Sequence, residues 1–134
     1  MNPEEINRLC EGSFIDLLNI RFTVFEKDRV RAVMKITPRH FQPMGVVHGG
    51  ALISLAETVG SAGSFALVDP GKFNVYGAAV DSQHLAPARQ GELHAVARLT
   101  VKLESKHVWD VEIRDDQGKL ISISRVTNSI KPRN

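Results

Sequence analysis

The chain has 134 residues, 43% of them hydrophobic and 24% charged, with a net charge of +2 and one cysteine, Cys10. That suits one domain able to bury a core, excludes an internal disulfide, and leaves too weak and scattered a charge for nucleic-acid binding. The N-terminus "MNPEEINRLC" has early acids and no apolar core, so it is not a secretory signal, and a cytoplasmic protein is expected.

No repeat, low-complexity tract or linker divides residues 1–134, which read as one domain with residues 1–11 as a helical lead-in. "PEEINRLCEGSFIDLLNI" reads as a short amphipathic helix broken at Gly12. "RFTVFEKDRVRAVMKIT" reads as two strands around a turn near "EKDR", with Val30, Ala32, Met34 and Ile36 alternating inward. "PRHFQPMGVV" is a loop with two prolines. From Gly49 to about Phe65, Leu52, Leu55, Ala56, Val59 and Ala62 recur at helical spacing.

After "VDPGKF" the period changes to two. "NVYGAAVDSQHLAPA" is one strand, and Leu93, Ala95, Ala97, Leu99, Val101 and Leu103 alternate strictly along the next. Trp109, Val111 and Ile113 continue the alternation, "DDQG" marks a hairpin turn, and "KLISISRVTNSI" is the last strand. Such strands form an antiparallel sheet whose apolar face needs a cover, and the long helix is the only candidate. The expected fold is α+β, a curved antiparallel sheet wrapped around one buried helix.

From His40 to Val68 the chain carries one formal charge, Glu57, in the middle of that helix. A buried, unpaired carboxylate there would cost several kcal/mol. The helix is too apolar for a solvated surface, apart from a ridge of Ser54, Glu57, Ser61 and Ser64. Gly60, Ala62 and Gly63 keep the adjoining surface small, so that another backbone or a ligand can come close. "HGG" stands at the helix start, where free N–H groups and the positive dipole end suit an oxyanion. The plainer alternatives are a Glu57 on a solvated face or paired with an arginine, and "HGG" as turn chemistry. Glu57 lies eight residues beyond Gly49, roughly 12 Å along one helix at ~1.5 Å per residue. If both groups act on one carbonyl, they must come from two subunits.

"QPMGVVHGGALISLAETVGSAG" and "SKHVWDVEIRDDQGKLISISRVT" resemble the hotdog-fold acyl-CoA thioesterases. The similar branch is the PaaI-like one, with the Arthrobacter-type 4-hydroxybenzoyl-CoA and the 1,4-dihydroxy-2-naphthoyl-CoA thioesterases. The resemblance covers roughly residues 12–130. It implies the hotdog fold, a homodimer or dimer of dimers (a homotetramer), and sites between subunits. It implies Glu57 as nucleophile or general base and the Gly49 N–H as the group polarising the thioester carbonyl. Gln42 and His48 would line the site, and Ser61 would hold water or the acid. Gly50 and Ser54 would belong to the substrate-binding set, with Ser105 and Lys106 against the CoA nucleotide; His84 stands where relatives vary and is expected in the substrate-binding set as a lining of the acyl pocket. No cofactor is implied beyond CoA, which is part of the substrate, and no metal, nucleic acid or membrane partner.

The residues themselves offer little else. "GSAGS" is not a nucleophile elbow, and His40, His48, His84, His94 and His107 show no zinc spacing. His94 reads as plain surface, Trp109 as core or interface, and His107 as either surface or a CoA phosphate contact. A hotdog hydratase and a non-catalytic acyl-CoA sensor are the competing functions. The acyl group expected is aromatic or otherwise compact.

Overall fold

The computed structural model describes residues 1–134. Its elements are α1 (Pro3–Leu9), α2 (Phe14–Leu17), β1 (Ile20–Phe25), β2 (Arg29–Lys35), a 3-10 turn (Pro38–His40), α3 (Gly49–Leu67), β3 (Phe73–His84), β4 (Glu92–Lys102), β5 (Lys106–Arg114) and β6 (Leu120–Pro132). The predicted break at Gly12 separates α1 from α2. Asn2 caps α1 through its side chain, and Asn7 ties the helix to β1, donating to the Phe22 carbonyl at 3.0 Å and accepting from its N–H at 2.8 Å.

All six strands form one antiparallel sheet in the order β1-β2-β4-β5-β6-β3. β3 does not pair with β4, which follows it in sequence. It crosses to the far edge and runs beside β6 for its whole length. The sheet curls around α3, which packs against every strand. This is the hotdog arrangement that the resemblance implies.

Leu55, Ala56 and Val59 of α3 are fully buried against Val30, Met34, Leu93, Trp109, Val111 and Val126 of the sheet. Each large side chain so buried contributes about 1.5–3 kcal/mol. By length and composition α3 would also pass as a membrane span, but nine of its residues are buried within this chain.

Two details of the sequence reading are corrected. The inward alternation of β4 holds through Leu93, Ala95 and Ala97, whereas Val101 and Leu103 are exposed. A bulge between Leu99 and Val101 inserts one residue, and one residue turns the next side chains to the other face. Gly60 and Gly63, expected to admit another backbone or a ligand, are met by side chains of the sheet. A Cβ on Gly60 would lie 2.9 Å from Val126, and one on Gly63 would lie 2.4 Å from the Trp109 ring, so both make room for sheet side chains.

Candidate active site

The start of α3 is built by its own flanking loop. His40 is buried, its Nδ1 accepts from the Thr37 N–H and its Nε2 lies 2.8 Å from the Leu18 carbonyl. Its carbonyl in turn accepts the His48 N–H at 2.7 Å. His48 is the N-cap, its Nδ1 accepting the Gly50 N–H at 2.8 Å. The Ala51 and Leu52 N–H groups both bond the His48 carbonyl. Of the four first-turn donors, the Gly49 N–H alone donates to nothing in the chain.

His84, at the end of β3, stands against Gly49. Its Nε2 lies 2.9 Å from where a Cβ on Gly49 would be, so only glycine fits beneath the ring. Ser122 gives its hydroxyl hydrogen to the Gln83 carbonyl, so its oxygen accepts from His84 Nδ1 at 2.9 Å. Gly49, His84, Leu52 and Pro87 border a cavity of about 320 Å³.

Glu57 lies in a different hollow. It is exposed in the single chain, which corrects the expectation of a buried carboxylate, because α3 turns Ile53 and Glu57 outward between β3 and the N-terminal helices. The cavity there measures about 510 Å³ and is bordered by Ser61, Cys10, Phe14, Phe65 and Val75. One oxygen of Glu57 lies 2.8 Å from where a Cβ on Gly77 would be, beside a bulge between Gly77 and Ala79. A side chain at position 77 would occupy the space the carboxylate uses. A larger depression of about 850 Å³ around Asp81, Asp110 and Arg125 contains neither Gly49 nor Glu57.

The predicted polar ridge of α3 divides. Ser54 spends its hydroxyl on the Gly50 carbonyl at 2.8 Å. Ser61 is half-buried beside Glu57 and bonds Asn128 Oδ1 at 3.4 Å. Ser64 is fully buried and faces the core, where it meets His107, Trp109 and Asn128. His107 is thus neither surface nor phosphate contact. Period two along β5 puts it on the inner face with Trp109, and burial, followed by the charge of Lys102, pushes its pKa below the ordinary value.

His94 is half-exposed as expected and bonds Asp116 at 2.7 Å, which holds that carboxyl below its usual range. Gln42 is half-buried, and its side-chain oxygen accepts the Met44 N–H, bracing the loop ahead of α3. Ser105 and Lys106 are exposed at the β4–β5 turn. The residue that sequence reasoning missed is Asn128. "RVTNSI" carried the signal, since Val126, Asn128 and Ile130 share the inward register.

Comparison with known proteins agrees with this architecture. Residues 44–122 match the family described as the Thioesterase superfamily. The 1,4-dihydroxy-2-naphthoyl-CoA hydrolase of Escherichia coli is 37% identical over 128 residues, 95% of this chain and 93% of that protein. The proofreading thioesterase EntH of Cronobacter turicensis is 29% identical over 97% of this chain and 94% of its own length. The crystal structure of a mutant thioesterase from Pseudomonas aeruginosa superposes with a TM-score of 0.96 at 36% identity, covering 99% of this chain and 96% of that one. A sheet wrapped on one helix, a free donor at the start of that helix and a lone carboxylate along it thus occur in a chain that belongs to the thioesterase superfamily.

Proposed function

We propose that this protein hydrolyses an acyl-CoA thioester carrying an aromatic or other compact acyl group, at a site shared by two copies of the chain. The Gly49 N–H of one copy polarises the thioester carbonyl, aided by the positive end of α3. Glu57 of the other copy either attacks that carbon or takes a proton from a water that does. In both cases the tetrahedral adduct expels CoA as a thiolate, which needs little acid help. After direct attack an anhydride of Glu57 is left, which water cleaves to the free acid and the carboxylate; after attack by water, Glu57 returns its proton to the thiolate. Apolar walls around Glu57 suit a compact acyl group, and 1,4-dihydroxy-2-naphthoyl-CoA is the substrate named for one relative.

The observation that carries this reading is the single unspent donor of the α3 first turn. It lies in one cavity while the helix's only carboxylate lies in another. Roughly 12 Å of helix between them keeps one carbonyl from reaching both within a chain. The free edge of β3 supplies the means of pairing: twelve residues long, with Tyr76, Gly77, Ala78 and Ala79 exposed, it leaves backbone groups open to a second sheet.

Complementation tests the shared site. Gly49→Pro removes the donor at a position where the helix backbone accepts proline, and its ring also drives His84 aside, so that either effect disables the donor's half of the site; Glu57→Ala removes the carboxylate. Each variant alone is expected to lose a hundredfold or more in kcat on a panel of aryl-, short-chain and long-chain acyl-CoA substrates. Unfolded together and refolded, they should recover about a quarter of wild-type activity, since half the dimers are mixed and each carries one intact site of two. No recovery would place both groups in one chain's site, and full activity of Glu57→Ala would return Glu57 to the surface.

A further inference from the structure

Three strands lay one transverse row beneath the polar ridge of α3. Gly77 of β3 pairs with Asn128 of β6, which pairs with His107 of β5. Above them stand Glu57, Ser61 and Ser64, one helical turn apart in succession. Glu57 lies over Gly77, Ser61 over Asn128, and Ser64 over Asn128 and His107. The inner face of β6 also carries Ser124 and Ser122, which bond Ser82 and His84 of β3; the row of Asn128 and His107 is the one that hydrogen-bonds the helix ridge.

The hydrogens of this network can be assigned. Ser64 Oγ accepts from Trp109 Nε1 at 2.9 Å and from Asn128 Nδ2 at 2.8 Å. Both lone pairs are spent, so its own hydrogen goes to His107 Nδ1, 2.9 Å away. Asn128 gives its other amide hydrogen to the Gly60 carbonyl at 3.2 Å. With both N–H groups committed, the fully buried amide cannot flip, and its oxygen points at Ser61 Oγ, 3.4 Å away. An amide oxygen only accepts, so Ser61 donates. The bond is long for an O–H···O contact, which means Ser61 is aimed rather than clamped.

We propose that Asn128 is a positioning residue that fixes the direction of the Ser61 hydroxyl. The inference rests on the general-base reading of Glu57, with Ser61 as the residue that holds the water. With its hydrogen turned toward Asn128, Ser61 offers only lone pairs to the cavity it shares with Glu57. A water there donates one hydrogen to Ser61 and the other to the Glu57 carboxylate, which leaves its own lone pair for the carbonyl carbon. Glu57 takes that proton as the carbon–oxygen bond forms. A Ser61 free to rotate would also donate to the carboxylate or to the water, and the water would lose its orientation.

A double-mutant cycle on kcat tests this. Ser61→Ala and Asn128→Leu are each expected to lower kcat about tenfold with little change in KM. The double variant should be no slower than Ser61→Ala alone, because Asn128 acts through Ser61. Thermal melts and Trp109 fluorescence establish that each variant folds. If Asn128→Leu does not fold, Ser64→Ala, which removes the oxygen bracing the amide, takes its place in the cycle with the same expectation. Multiplying losses, or a loss confined to KM, overturns the proposal while leaving the site reading intact. Full activity in both Ser61→Ala and Glu57→Gln overturns the site reading, and the proposal with it.

Discussion

At the scale of single residues, what matters is where each donor, carboxylate and small side chain is spent. Glu57 is a long, flexible carboxylate set against a strand position that bears no side chain. Gly77→Ala puts a methyl 2.8 Å from Glu57 Oε2, and the carboxylate, as the mobile partner, gives way. Expected are an unchanged melting temperature and a kcat lowered about tenfold; an unchanged kcat would mean that Gly77 does not seat the carboxylate. His107 gives a second prediction. Its pKa is lowered in the fold by burial, then by Lys102, while in the unfolded chain it titrates near 6.5. Between those two values the unfolded state holds more protons, so stability falls as pH drops below about 6.5 and is constant in this term above it. Protonation also puts a third donor on Ser64 Oγ, which has no lone pair left for it. Urea unfolding at pH 7.5 and 5.5 should show the loss, and His107→Gln should flatten it; an equal loss in the variant would assign the effect to other groups.

At the scale of elements, α3 decides the geometry. Its first turn has one donor left over because His48 supplies both a side-chain cap and a doubly used carbonyl. Its middle and end are held at close range to the sheet by Gly60 and Gly63. Gly63→Ala drives a Cβ to 2.4 Å from the fully buried Trp109 ring. Overpacking costs about 1–3 kcal/mol, offset by at most about 1 kcal/mol from the better helix propensity of alanine. Denaturant midpoints should show a net loss, smaller for Gly60→Ala, whose neighbour Val126 lies at 2.9 Å. A Gly63→Ala protein as stable as the parent would mean that the helix shifts freely on the sheet. The elements were legible in the sequence because period two and period 3.6 each record a single buried face. The β4 bulge was not, because the inserted residue leaves the local pattern of apolar residues unchanged and alters only which face they reach.

At the scale of the whole molecule, the strand order matters most. Sending β3 to the far edge leaves a long, exposed strand beside the hollow that holds Glu57. If that edge joins two copies as proposed, charges on it, as in Ala78→Lys with Ala79→Lys, should lower the mass of the assembly in solution and remove activity together. An active monomer, seen by light scattering on the assayed sample, would overturn the shared site.

The sequence by itself determined the wrapped helix, its lone carboxylate, the glycines at its start and the family likeness. All of these follow from spacing along the chain, which local propensity and periodicity read directly. Only the tertiary structure decided that Glu57 is exposed, that Ser64 and His107 are core, that His84 sits over Gly49 and that Asn128 faces Ser61. Those facts depend on which strands become neighbours and in what register. Pairings such as β3 with β6, between residues far apart in the chain, leave no periodic trace in either strand alone.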